Sequence, residues 1–387
     1  MTTPNPLGDM PIDVFLSEYW QKKPLLISKA LTDFSSPLSA DELAGLACEE
    51  SVESRLILEK GGKHPWELRN GPFTEQELQQ LPKSHWTLLV QDVEKHLPEL
   101  SWITDLFNFI PDWRLDDLMF SYAPDQGSVG PHLDAYDVFL LQAHGQRHWQ
   151  IDPDPKRPIQ RWPDTELDIM SHFQSKQDWV LEAGDILYLP PGVAHYGIAK
   201  GDCITCSIGF RAPSHHGLVE NYVDAVLDSL DDDKLYQDPG LRRQQYSHEI
   251  SNEHIAQLLE IVQQHLSLPV ARVNQWAGTL LSQSKADFHA EIPTDTLSST
   301  AFFQLWRQST ILYRQSALKF LYINTGSNID FYIDSQHLSY PSFDNEQAEW
   351  LCSSLQFDWK AYDQHPNKTQ LKDLFYDFYC RGFYYFN

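Results

Sequence analysis

His132 and Asp134 stand two residues apart in GPHLDAYDVFLLQAHGQRHWQI (Gly130 to Ile151), a stretch whose apolar runs otherwise read as buried strands. Side chains alternate faces along a strand, so the imidazole and the carboxylate point to one side and Leu133 to the other. Two metal donors thus come from one short segment. A satisfied core histidine beside a solvated carboxylate has the same pattern, so the pair alone does not separate ligation from packing. A third donor lies in EAGDILYLPPGVAHYGIA (Glu182 to Ala199). There Gly184-Asp185 reads as a turn, Ile186 to Leu189 as an apolar strand, Pro190-Pro191-Gly192 as a second tight turn, and His195 opens the next strand.

Two imidazoles and one carboxylate occupy half of an octahedron and leave the other half open. This donor set of His132, Asp134 and His195 is the one non-haem Fe(II) oxygenases use to hold cosubstrate and dioxygen together. The segment AHGQ reads as a hairpin turn. It places Arg147 at the start of a strand, RHWQI, running antiparallel to AYDVFLLQ and beside the metal segment. A guanidinium there takes a carboxylate as a fork, as a dicarboxylate such as 2-oxoglutarate requires. A solvent-facing hairpin residue fits the same spacing, and both readings stay open. Ser121, on the preceding strand, offers a hydroxyl. His144, His148, His172, His215 and His216 have no matching partner spacing and read as surface residues. Cys203 and Cys206 form a C-x-x-C, but three apart on a strand they face opposite sides, so both are assigned to the core.

Around these residues, PIDVFLSEYWQ reads as a helix ending near Gln21, with the short strand PLLIS following from Pro24. From His85 to Pro213, strand-like runs (HWTLLVQDV, LDDLMFSYA, ITCSIGFRAP) alternate with Gly, Pro and Asp turns, which predicts an all-β sandwich or barrel decorated by N-terminal helices. After Pro213 the period changes. HGLVENYVDAVLDSL and SNEHIAQLLEIVQQHLSL carry apolar residues at helical spacing, with Ile255, Leu258, Leu259, Val262 and Leu266 on one face. A third helix, VARVNQWAGTLLSQ, starts at Pro269. Three helices in so few residues make a small core, so self-association is the expected outlet. From about Leu281 a helix (TAFFQLWRQ), a hairpin turning at Thr325 to Asn328, a helix (NEQAEWLCSSLQ) and a C-terminal helix-strand suggest a winged-helix-like unit.

At 387 residues the chain exceeds one typical domain. Its 54 acidic against 29 basic residues give a formal charge of −25, which repels phosphate backbones and favours basic partners. Residues 281–387 hold 8 Lys and Arg against 12 Asp and Glu, so a DNA-reading wing is disfavoured and no direct nucleic-acid binding is expected. No window reaches the roughly eighteen apolar residues of a membrane span, and the first residues lack a signal-peptide pattern. Five scattered cysteines suit a reducing compartment. The expected location is the cytoplasm, with no membrane partner.

Together YWQKKPLLI, GPHLDAYDVFLLQAHGQRHWQI, GDILYLPPGVAHYGI and SIGFRAP resemble the JmjC-type bacterial ribosomal oxygenases of the cupin superfamily. The resemblance covers essentially the whole chain. It implies a mainly β catalytic core, a double-stranded β-helix of cupin or jelly-roll type with N-terminal helices, over residues 1–213. It further implies an all-α dimerisation region over 214–282 and a winged-helix-like α+β domain over 283–387. By motif position, His132, Asp134 and His195 would bind Fe(II), Arg147 would pair with the distal carboxylate of 2-oxoglutarate, and Ser121 would hydrogen-bond it. With O2 as the other cosubstrate, the implied reaction yields succinate and CO2 and hydroxylates an arginine of a large-subunit ribosomal protein. The acidic surface would steer that basic partner. The family's usual glycine run is replaced here by PDQGSVG.

Other readings remain. Related eukaryotic enzymes act on histidine, so another protein residue is an alternative target. A metal-binding cupin without oxygenase activity would leave Arg147 idle, and a pure interaction protein would leave the whole triad idle.

Overall fold

The computed structural model describes residues 5–60, 65–163, 166–230, 234–285, 288–290, 292–341 and 343–386. The chain divides into two compact units, Met1–Ala212 and Pro213–Asn387.

The first unit is built on one antiparallel ten-stranded sheet. Its strands are β1 (Leu25–Ile27), β2 (Ser54–Glu59), β3 (Trp66–Asn70), β4 (Trp86–Val90), β5 (Leu115–Ala123), β6 (His132–Leu133), β7 (Asp137–Asp152), β8 (Gln177–Leu181), β9 (Ile186–Leu189) and β10 (Ala194–Phe210). The main path runs β1-β9-β7-β10-β5-β4-β2-β3, with β6 paired to β10 and β8 to β7. Strands β7 and β10 stay paired over almost their whole length while their outer neighbours change. β7 pairs with β9 through Val138–Leu141 and with β8 through Arg147–Ile151. β10 pairs with β6 at Ala194 and His195 and with β5 from Cys203 to Phe210. Two long strands that pass from one set of partners to another curl the sheet into the expected double-stranded β-helix.

This corrects the hairpin reading of AHGQ. β7 runs through it unbroken, so Arg147 lies opposite Ala199 of β10 and Leu181 of β8, not on a strand antiparallel to AYDVFLLQ. Gly145 supplies a bend in place of a turn. Its φ is +66°, and a Cβ there would sit 2.1 Å from the Asp202 carbonyl oxygen. The partner strand bends alongside, with a register shift between Lys200 and Ile204. The metal segment also differs from a strand carrying both donors: β6 ends at Leu133, and Asp134 follows it.

Strand faces explain the apolar runs. On β7, Phe139 and Leu141 join the main core with Phe15, Leu43, Ile103 and Phe107, while Val138 and Leu140 face the barrel interior with Leu187, Leu189 and Trp149. Both faces are dry there, so DVFLL reads as continuous rather than alternating. Helices α1 (Ile12–Glu18), α2 (Ala40–Leu46), α3 (Glu75–Gln79), α4 (Val93–His96) and α5 (Ser101–Asp105) precede β5. Ser39 and Thr74 start α2 and α3 as capping boxes with Glu42 and Glu77.

In the second unit, α6 (His215–Leu227), α7 (Asn252–His265) and α8 (Val270–Leu281) are the three expected helices. They are followed by α9 (Ser299–Ser309), β11 (Ile311–Arg314), β12 (Phe320–Asn324), β13 (Asn328–Ile333), β14 (Gln336–Pro341), α10 (Asn345–Ser353), β15 (Gln356–Asp358), α11 (Trp359–Gln364), α12 (Lys368–Cys380) and β16 (Tyr384–Tyr385). Two three-stranded sheets and these helices enclose Phe302, Trp306, Phe331, Phe375, Phe378 and Tyr384, in keeping with the winged-helix-like α+β expectation. The expected hairpin is β12–β13. Gly278 lets α8 lie on the Tyr332 ring, where a Cβ would come within 2.4 Å. Among the described residues no helix is long and apolar enough to cross a membrane.

Glu94 of α4 is buried and accepts a hydrogen bond from the Leu118 backbone N–H at 3.0 Å, tying the helix to β5. Burial raises its carboxyl from 4.5 to about 8, with Asp92 and Asp117 adding to the shift and Lys95 opposing it. The folded chain therefore keeps this proton to a higher pH than the unfolded chain. Its contribution to stability is full below about 4.5 and is lost as pH rises toward 8, with a slope approaching about 1.4 kcal/mol per pH unit. Denaturant unfolding at pH 5 and pH 8 is expected to show a smaller loss for Glu94→Gln than for the wild type. Equal losses would mean that Glu94 does not titrate in this window.

Candidate active site

The two histidines come together because β6 and β10 pair in a register that sets His132 opposite His195. Their ring centroids are 4.2 Å apart. The Asp134 carboxylate reaches in from the end of β6, with Oδ2 3.5 Å from His195 Nε2 and 4.0 Å from His132 Nε2. One donor atom from each residue lies within 4.8 Å of the others. Backbone carbonyls set both tautomers. His132 Nδ1 is 2.9 Å from Gly130 O, and His195 Nδ1 is 3.0 Å from Val193 O. A carbonyl accepts only from an N–H, so Nδ1 carries the proton and the Nε2 lone pairs turn toward Asp134. Burial, and then His132, lower the His195 pKa to about 4 against the opposing pull of Asp134. His195 is therefore neutral at physiological pH, the form a metal ligand needs. The three predicted donors are thus brought together, and their chemistry fits a divalent cation with an open coordination face.

They line a cavity of about 380 Å³ in the first unit, which also takes in Ser121 and Arg147. Arg147 is buried, not solvent-facing. Its Nη2 is 3.5 Å from Cys203 Sγ, and its Cζ is 5.7 Å from the Trp149 ring centroid. Its Nε has no hydrogen-bond partner among the described residues. A buried guanidinium left with an unsatisfied donor is expensive unless an anion completes it. Ser121 is buried opposite Leu89 and Thr205, and its hydroxyl donates weakly to the Thr205 carbonyl at 3.4 Å. The Trp149 indole is seated over Gly197, where a Cβ would come within 2.7 Å of the ring, and its centroid lies 5.8 Å from that of His195.

Cys203 and Cys206 are both buried, as assigned. Cys206 belongs to the main core, and its thiol is pushed well up by burial. Cys203 instead touches the cavity arginine, which alternation alone does not reveal. His144 and His172 are exposed, and His148 pairs at 3.7 Å with Asp178 on the outer strand, all outside the cavity.

Sequence reading passed over Asp116, Asp117 and Tyr136, which also line the cavity. The signal for Tyr136 was its place two residues after Asp134. Its hydroxyl bonds the Asp134 carboxylate, and burial followed by the charges of Asp134 and Asp117 raises its pKa, keeping it a donor. Asp116 and Asp117 stand near the start of β5, in a run read only as a strand.

The family profile described as the JmjC domain matches residues 103–218, a span that contains the triad, Ser121 and Arg147. Among curated proteins, the chain is 33% identical over 327 residues to the ribosomal protein uL16 3-hydroxylase of Escherichia coli strain K12, covering 84% of this chain and 85% of that one. Among solved structures, Escherichia coli YcfD superposes with a TM-score of 0.84 at 29% identity, covering 98% of this chain and 99% of that one. A structure of YcfD, described as a ribosomal oxygenase in complex with cobalt and 2-oxoglutarate, superposes at 0.80 with 28% identity and the same coverage. With a catalytic fold, a donor triad and a relative of this identity matched along most of both chains, the protein belongs to the JmjC-domain ribosomal oxygenase family.

Proposed function

We propose that this chain is an Fe(II)- and 2-oxoglutarate-dependent oxygenase that hydroxylates an arginine side chain of a large-subunit ribosomal protein. One observation carries the reading: a metal-donor triad and a buried arginine with an unsatisfied donor share one cavity. A relative that binds cobalt and 2-oxoglutarate, and another that hydroxylates uL16, support the cofactor and the substrate class. A cupin that binds only metal would leave the buried Arg147 uncompensated.

His132, Asp134 and His195 hold the iron. When bound, it supplies dioxygen activation coupled to oxidative decarboxylation of 2-oxoglutarate to succinate and CO2. Arg147 forks the distal carboxylate of the cosubstrate, and the Ser121 hydroxyl donates to it. Asp116 and Asp117 attract the incoming guanidinium, which favours arginine over a neutral imidazole as the target. Tyr136 holds its proton beside Asp134 and keeps that carboxylate oriented. Leu133, Val138 and Leu140 keep the cavity wall apolar and restrict water. The net charge of −25 steers a basic ribosomal protein toward the site.

Residues 1–213 form the catalytic domain, 214–282 a dimerisation region and 283–387 the winged-helix-like domain. The enzyme works in the cytoplasm, without direct nucleic-acid or membrane binding. Ile255, Leu258, Leu259 and Val262 of α7 are each about half exposed, and Val219, Leu227 and Val270 on the neighbouring helices more so. An apolar face of this extent supports a homodimer in which a second copy covers it.

Incubation with Fe(II), 2-oxoglutarate and isolated large-subunit ribosomal proteins is expected to release succinate and add one oxygen to an arginine of one of them, read by mass spectrometry. Asp134→Ala should abolish both. Succinate release without a modified ribosomal protein would overturn the substrate assignment, and no release from the iron-loaded wild type would overturn the oxygenase reading. Arg147→Ala should raise the KM for 2-oxoglutarate by roughly thirty- to nine-hundred-fold, from the loss of about 2 to 4 kcal/mol of carboxylate binding. Lysine at that position should recover only part, and unaltered kinetics would place the carboxylate elsewhere. Light scattering at micromolar concentration should report twice the 44.8 kDa chain mass. Leu258→Glu combined with Val262→Glu should return it to one, and a wild-type monomer would refute the dimer.

A further inference from the structure

We propose that Arg157 is a positioning residue of the metal site: its guanidinium holds the Pro190-Pro191-Gly192 turn and, through that turn, fixes both Asp134 and His195. The proposal rests on the reading of His132, Asp134 and His195 as metal ligands.

The sequence after β7 is Asp152-Pro153-Asp154-Pro155-Lys156-Arg157. Two prolines fix φ, and two aspartates fold the backbone onto themselves. Asp154 N–H donates to Asp152 Oδ1 at 3.0 Å, Lys156 N–H to Asp154 Oδ1 at 2.9 Å, and Arg157 N–H to the Asp154 carbonyl at 3.2 Å. The chain thereby returns Arg157 to the end of the strand it has just left. Its side chain is 6% exposed, with Nε 3.4 Å from Asp152 Oδ2. Nη1 and Nη2 both donate to the Gly192 carbonyl, at 3.0 and 2.9 Å, and Nη2 also donates to the Asp152 carbonyl at 2.5 Å. A buried arginine spent on one carbonyl of a turn and one at the end of β7 differs from a surface ion pair, which holds little geometry.

That turn is bonded to the backbone of one ligand and leads into the strand that bears another. The N–H of Gly192 donates to the Asp134 backbone carbonyl at 2.8 Å, so the residue whose carbonyl Arg157 grips holds Asp134 through its own N–H, one Cα away. The next carbonyl, Val193 O, takes the His195 Nδ1 proton and aims Nε2. Gly192 has a φ of +76°, with open space where a Cβ would be, so glycine serves the backbone conformation. A conformation so held from one side would relax if the guanidinium were removed. Lys176 provides the internal comparison. It contacts Asp152 at 3.2 Å and Asp154 at 2.8 Å in the same cluster, with no bond to Gly192.

Co(II) titration followed by visible absorption tests this without relying on turnover. Arg157→Ala is expected to weaken Co(II) binding by about ten- to a hundredfold and to change the ligand-field bands. Arg157→Lys, a single point donor, should fall between it and the wild type. Lys176→Ala should keep wild-type affinity and spectrum. Wild-type affinity and spectrum in Arg157→Ala would overturn the proposal, as would an equal loss in Lys176→Ala, which would mark general loosening of the loop. If Arg157→Ala does not fold, Arg157→Gln takes its place in the same comparison, and unchanged affinity there overturns the proposal. His195→Ala separates the two levels: retention of Co(II) affinity in that variant would refute the ligand assignment beneath the proposal.

Discussion

The pairing of β7 with β10 is the constraint on which the rest of the first unit depends. The sixteen-residue strand and the seventeen-residue strand pair on both sides of a shared bend, where the register shifts, so both cross from one wall of the barrel to the other. The bend needs Gly145, whose φ of +66° and close approach to the Asp202 carbonyl leave no room for a side chain. Before it, β7 presents Phe139 and Leu141 to the N-terminal helices. Beyond it, the same strand carries Arg147 and Trp149 into the cavity. Without the crossover, the carboxylate-binding candidate and the metal donors would sit on separate surfaces.

A strand with a dry outer face and a polar inner one resolves a conflict between stability and chemistry. On β10, Cys206, Ile208 and Phe210 enter the main core while Thr205, Ser207 and Gly209 line the cavity. On β5, Leu118 and Phe120 do the former and Asp117, Met119 and Ser121 the latter. Burial of the outer face offsets the cost of polar groups on the inner one. A second polar brace lies at the start of β7. Asp137, fully buried, accepts from Tyr188 at 2.6 Å, Gln21 at 2.8 Å and Arg114 at 3.1 Å, which joins the end of the N-terminal helical segment to β9 and to the entry of β5. Burial raises its carboxyl, and these three donors oppose the rise.

The metal site shows the same economy in its supports. Each histidine uses a backbone carbonyl two residues upstream to fix its tautomer, so no side chain is needed beside it. The Pro190-Pro191-Gly192 turn joins Asp134 to the approach of His195 through main-chain bonds, and the proline-rich excursion after β7 returns a guanidinium to that turn. The ligands are thus held by strand ends and turns, where backbone groups are free to bond inward because the ladder has ended.

The sequence by itself determined the local features. The H-x-D spacing marked His132 and Asp134 as donors, although Asp134 lies beyond β6 and Leu133, expected on the opposite side, lines the same cavity. The rigid LPPG turn marked His195, and helical spacing located α7 and α8, with Pro269 as the N-cap of α8. The hairpin at Thr325 to Asn328 was legible from its turn residues for the same reason: such signals are carried by neighbours in the chain. Tertiary structure alone decided whether Gly145 turns or bends the chain, because that depends on how β10 bends beside it. It also decided that Asp116, Asp117 and Tyr136 line the cavity that holds the donor triad, and that Arg147 is buried beside Cys203. Charged residues look alike in sequence whether solvated or enclosed, and only the closing of the barrel, which brings β5, β7 and β10 around one space, tells them apart.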